Sequence, residues 1–211
     1  MAFWGSPLTD RQHAFHACRS AILCQQRLVL LNRLWKLDGR PVFNTRMGLH
    51  TGNVIIGNMG SSERMNYTAI GDNVNLGSRL EGLNKYYGTK IIASETVYDH
   101  LKEQFLFRPL DHIAVKGKSK AIMVYELLGQ LKGDNDLLPT DEILEFCHIF
   151  DKAFKLYLTH QFKEALKIFK TIPAHLHPGD LSVGLYIKRC QDFITTPPPK
   201  DWDGSNHMTE K

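Results

Sequence analysis

Cysteine is scarce in this chain and unpaired in pattern: four residues, Cys18, Cys24, Cys147 and Cys190, stand far apart or on helical patterns, with no CxxC pair and no cysteine–histidine spacing of a zinc site. That excludes a disulfide scaffold and points to reduced thiols in a cytoplasmic compartment. Long apolar runs are missing too, and the start shows no basic region leading into an apolar stretch and a cleavage site, so the sequence as given carries neither a membrane span nor a secretory signal. Charge of one sign is also lacking. The 26 basic and 22 acidic residues leave a formal net charge of +4 with no long basic run, which is no footprint for nucleic acid or a membrane surface. With 43% hydrophobic and 23% charged residues in 211, the chain can bury one ordinary core and a small second unit.

What is present alternates between two periods. Met1–Trp4 reads as the end of a buried strand, broken by Gly5 and Pro7, with Thr9 or Asp10 placed to cap a helix. From Asp10 to about Trp35, apolar residues recur at three- and four-residue steps, as one helix face requires. FNTRMGLHTGNVIIGNMGS then gives two short apolar runs around Thr51, Gly52 and Asn53, the pattern of a hairpin, with Gly57 and Gly60 as further turn residues. RMNYTAIG is another short strand. Asp72–Tyr87 carries a helical period stopped by Gly88, KIIAS a strand, SETVYDHLKE a helix capped by Ser94, and FLFRPLDHIAV with AIMVYELL a closing strand pair. Such alternation favours a sheet covered by helices.

After the linker QLKGDNDLLPT the pattern is wholly helical, and the positions of Ala153, Tyr157, Phe162, Ala165, Leu166, Phe169, Pro178, Asp180 and Tyr186 fall near the spacing of a tetratricopeptide repeat. One repeat cannot bury its own face, so it must pack on the first unit, on its own following helix or on a partner. The resulting division is a first unit over 1–130, a linker over 131–139, a repeat-like helical segment over 140–196 and an extended tail over 197–211.

Asn75 and Arg79 lie four apart in the helix, so an amide and a guanidinium project from one face. Taken alone they read more readily as a helix-capping amide and a solvated arginine. Their surroundings decide the matter: RMNYTAIGDNVNLGSRLEGLNKYYG, preceded by RMGLHTGNVIIGNMGS, resembles the catalytic domain of class III adenylate and guanylate cyclases. MAFWGSPLTDRQHAFHAC and VKGKSKAIMVYELLG extend the resemblance from Met1 to about Gly129. It implies an α+β fold, the α/β sandwich of the ferredoxin-like cyclase core, here incomplete, with a small all-α appendage.

The resemblance also implies roles. Cyclisation of a nucleoside triphosphate depends on positioning and charge neutralisation more than on covalent help. Asn75 and Arg79 correspond to the family's transition-state pair, Lys116 to the lysine at the terminal phosphates, with Lys118 and Lys120 towards solvent, and Thr68 to the residue that reads the purine edge. A hydroxyl there tilts the substrate towards ATP over GTP; the alternative account of Thr68 is a β-branched residue chosen for strand propensity. His50, alone in its segment, reads as structural.

Complete members hold two Mg2+ or Mn2+ ions on two aspartates that precede the segment resembling MAFWG, and this chain starts after both positions, with Asp10 and Asp38 in the wrong context to replace them. The resemblance thus implies a chain inactive alone, either a fragment of a longer cyclase, whose parent could be membrane-anchored, or a short chain that pairs with a cyclase protomer in a homodimer or heterodimer. A missing central strand would leave an unpaired edge and an exposed apolar surface. The alternative is a silent regulatory or scaffold protein that binds partners through its dimer surface and helices.

Overall fold

The computed structural model describes residues 1–61, 63–114, 121–173, 175–177 and 179–207. In chain order the elements are α1 (His13–Leu37), β1 (Met47–Leu49), β2 (Ile55–Ser61), β3 (Arg64–Ile70), α2 (Asp72–Tyr87), β4 (Ile91–Ser94), α3 (Glu95–Leu101), β5 (Phe105–Ala114), β6 (Ile122–Gln130), α4 (Asp141–Leu158), α5 (Phe162–Phe169), α6 (Ser182–Thr195) and β7 (Ser205–His207). Five strands form one sheet in the order β1-β4-β6-β5-β7, parallel at β1/β4 and β5/β7 and antiparallel between; β2 and β3 form a separate antiparallel pair.

The period-two alternation of β4 assigns the two faces of the sheet. Ile91 and Ala93 join Ala14, Cys18, Ala21 and Ile22 of α1 and Val97 and Leu101 of α3 on one face. Ile92 joins Leu76, Leu80 and Tyr87 of α2 on the other, together with Leu110, Ile113 and Val124. Leu110 and Ile113 are an odd number of residues apart yet share that face, because the register slips between Pro109 and Asp111, a bulge that resets the alternation. The third core belongs to α4, α5 and α6, and it is closed against the sheet by Leu106, Met123 and Leu128. The helical segment therefore buries its face on both the sheet and its own following helix.

Three local expectations are corrected. Residues 1–4 form no strand, and Met1 is 78% exposed: a lone four-residue segment has no neighbouring strand here to satisfy its backbone groups. The hairpin expected around Thr51–Asn53 does not form either. β1 runs parallel to β4, while β2 pairs with β3 over seven residues, from Ile55 opposite Ile70 to Ser61 opposite Arg64, a longer ladder than three-residue β1 can offer. Gly57 and Gly60 consequently lie within β2, where Gly60 has φ +145° and a Cβ would sit 1.9 Å from the Arg64 carbonyl oxygen, so that only glycine fits. The tail is more ordered than its prolines suggest: Ser205–His207 adds an edge strand to β5, anchored by Trp202, whose Nε1 donates to the Ser205 carbonyl at 2.8 Å.

β1 is an outer strand of the sheet. Above that margin the buried side of α1 ends at Ile22, and Leu30, Leu34 and Leu37 are 50%, 58% and 85% exposed.

Candidate active site

α2 begins at Gly71, whose φ of 138° turns the chain directly from β3 into the helix, and it ends on Gly88 at φ 72° in the left-handed conformation. Leu76 and Leu80 are 3% and 0% exposed, so the residues one position before each, Asn75 and Arg79, face outwards on the same side of the helix, one turn apart, and both are exposed. Thr68 sits in β3 opposite Gly57 and is half-buried, three residues before the turn into α2. An amide, a guanidinium and a hydroxyl thus stand on one continuous strand–turn–helix unit. Lys116 lies outside the described residues.

The start of α2 is pinned by Asn73, which the sequence did not single out, and by His50, which it reads as structural. Asn73 Nδ2 donates to the Asn53 carbonyl at 2.8 Å, and its Oδ1 meets His50 Nε2 at 3.0 Å. His50 Nδ1 shares a hydrogen bond of 2.8 Å with Ser94 Oγ, which in turn meets Thr96 Oγ1 at 2.8 Å. His50 therefore bridges the ends of β1 and β4 and the start of α2. Ser94 holds the capping position of α3 but spends its hydroxyl on His50 and Thr96, without a side-chain cap to the helix. His13 adds a contact of 2.7 Å to Thr51 Oγ1, and Asp10, hydrogen-bonded to His16 at 2.7 Å, has its carboxyl held below the usual carboxylate range chiefly by that bond.

Among the described residues one group has the ligand types of a metal site: Glu126, His177 and Asp180 offer atoms within 4.8 Å of one another. It does not fit Mg2+ or Mn2+. Arg108 Nη2 already donates to Glu126 Oε2 at 2.6 Å and to Asp180 Oδ2 at 2.5 Å, neutralising the carboxylates that a hard cation would need together with several waters. Burial alone would favour loss of the Arg108 proton, but Glu126 and Asp180 outweigh it and hold the guanidinium above its ordinary pKa. Phe146 and Phe150 lie over the same guanidinium at 4.7 and 4.5 Å, and His177 stacks on Phe146. This is a buried ionic joint between the sheet and the C-terminal helices.

The family model of the adenylate and guanylate cyclase catalytic domain matches residues 1–129. The chain belongs to that family. The match to the cyclase domain ends one residue before the end of β6, so α4–α6 lie beyond it. Adenylate cyclase 1 of Rhizobium meliloti is 45% identical over 134 residues, 64% of this chain and 20% of that protein. The terminal-differentiation specific adenylate cyclase of Dictyostelium discoideum is 35% identical over 72% of this chain and 7% of its own length. The chain thus spans a fifth or less of these two curated cyclases. Among solved structures, the adenylyl cyclase CyaB from P. aeruginosa superposes with a TM-score of 0.55 at 32% identity, covering 64% of this chain and 67% of that one. The guanylyl cyclase Cya2, at 24% identity and TM-score 0.56, shares the fold. No helix among the described residues is long and apolar enough to cross a membrane.

Proposed function

We propose that this chain supplies the asparagine–arginine half of a class III cyclase site that converts ATP to 3',5'-cyclic AMP and pyrophosphate in intracellular signalling, paired with a second cyclase protomer. The observation that carries the reading is the outward face of α2, where Asn75 and Arg79 stand together beyond the strand holding Thr68. In the reaction the ribose 3'-oxygen loses its proton and bonds the α-phosphorus, while the bond from that phosphorus to the bridging oxygen of pyrophosphate breaks. Arg79 would hold an α-phosphate oxygen as negative charge gathers there, and a planar guanidinium suits that task. Asn75 would orient the ribose, Thr68 would meet the adenine edge, and Lys116 would hold the terminal phosphates. Divalent ions, when bound, supply most of the remaining charge neutralisation, and their acidic ligands would come from the other protomer. The helix pair α4–α5 reads as tetratricopeptide-like, with its face taken by α6 and the sheet.

The test mixes the full chain with a complete class III cyclase domain whose own transition-state arginine is replaced, then measures cyclic nucleotide from ATP and GTP with manganese. Cyclic AMP formed only in the mixture, and reduced about 10²- to 10³-fold by Arg79→Ala, is the expected result. Folded chain that pairs with the homologue yet yields no product would overturn it and favour a silent scaffold.

A further inference from the structure

α2 is held at both ends, and its C-terminal end is held from outside the family domain. The last carbonyls of a helix have no partner within it. Here the Tyr87 carbonyl accepts from Leu181 N at 3.0 Å and from Ser182 Oγ at 3.3 Å, both at the entry to α6. The approach is so close that a Cβ on Gly88 would lie 2.4 Å from the Gly179 carbonyl oxygen. The Tyr87 side chain goes inwards, and its hydroxyl donates to Asp111 Oδ2 at 2.7 Å. Asp111 is fully buried and gathers donors from four elements: Tyr87 of α2, Arg189 Nη1 of α6 at 2.7 Å, Asn206 Nδ2 of β7 at 2.8 Å and the His112 amide of β5 at 2.9 Å. Burial and then the Asp111 carboxylate push the Tyr87 phenol well above its ordinary pKa, so it stays a donor. One turn before Arg189, Tyr186 donates to the Leu110 carbonyl at 2.7 Å, and Leu185 packs into the α2-side core.

We propose that α6 and the turn before it are a positioning device for α2, with Tyr87, Asp111 and Arg189 as its positioning residues; the inference rests on the cyclase reading of Asn75 and Arg79. Arg79 is eight residues from Tyr87, about 12 Å along a stiff helix at 1.5 Å per residue. A tilt of the clamped end is carried to the guanidinium, and a misplacement of about 1 Å costs about 10²-fold in rate. α6 and its entry turn therefore set the geometry of the asparagine–arginine pair without touching the nucleotide.

The experiment compares the full chain with Tyr87→Phe, Arg189→Ala and Arg189→Lys in two readouts: amide hydrogen exchange along α2, and ATP cyclisation with manganese in the mixture described above. Exchange over residues 83–88 quickens about tenfold or more in Tyr87→Phe and Arg189→Ala while α4 and α5 keep their protection. In the mixture kcat falls about 10- to 100-fold with KM for ATP within about twofold, and Arg189→Lys recovers most of the loss. Unchanged exchange in α2, exchange that quickens equally across α4–α6, or faster α2 exchange with unchanged kcat each overturns the proposal. A wild-type mixture without product defeats the cyclase reading instead, and α2 exchange then decides the clamp alone. Should Arg189→Ala fail to fold by circular dichroism, Tyr87→Phe, which keeps its ring, carries the test.

Discussion

At the scale of single residues, the chain separates groups that chemistry can reach from groups that hold the fold. Cys18, Cys147 and Cys190 are buried, and burial pushes each thiol up to about 12, whereas Cys24 is exposed. Only thiolate reacts quickly with an alkylating agent. Iodoacetamide at pH 8 should therefore modify one cysteine per native chain, Cys24 by peptide mapping, and all four only in denaturant; two or more fast sites would contradict the packing. Gly48 makes a second case. A Cβ there would lie 2.2 Å from the Gly77 carbonyl oxygen and 2.4 Å from the Glu81 amide nitrogen, so α2 rests directly on β1. Gly48→Ala is expected to lower stability by about 1–3 kcal/mol in urea titration, because backbone on both sides must give way. Loss smaller than about 0.5 kcal/mol would mean the helix can slide.

Elements are where the sequence is most and least legible. α2 was readable to its last residue, since Val74, Leu76, Leu80, Leu83 and Tyr87 keep a helical period and Gly88 ends it in the left-handed region. The outward pair Asn75 and Arg79 follows from the same period. The strands of residues 47–61 were not readable, because β1 and β2 are neighbours in sequence that find partners in different sheets, and a period of two is blind to partner choice. The ionic joint was invisible for a related reason: Arg108, Glu126 and Asp180 come from β5, β6 and the connection into α6, with no local spacing to announce them. That joint makes its own prediction. Arg108→Ala leaves two carboxylates buried without their cation and should cost about 3–5 kcal/mol, whereas Arg108→Met together with Glu126→Gln and Asp180→Asn should cost much less. Equal losses in the two variants would show that the ring contacts with Phe146 and Phe150, rather than charge, dominate at this joint.

Across the whole molecule the buried thiols and phenols act together on pH dependence. Their folded pKa values are raised, by burial first, for Cys18, Cys147 and Cys190 and also for Tyr87 and Tyr186. A thiol of the unfolded chain titrates near about 8.5, so above that pH the unfolded state loses protons that the folded state keeps. Stability is then full below about pH 8.5 and falls as pH rises towards about 12, by at most about 1.4 kcal/mol per pH unit for each fully buried group. The urea midpoint should drop between pH 8.5 and 10.5, and a constant or rising midpoint would contradict the burial of these groups. The cyclase sheet and the helices beyond Gly129 cannot drift independently: exchanging α4–α6 for another helical module would strand Arg108, Asp111 and the Tyr87 carbonyl in an interface made for other donors. A family border drawn along the sequence at that glycine therefore cuts through the middle of one continuously hydrogen-bonded unit.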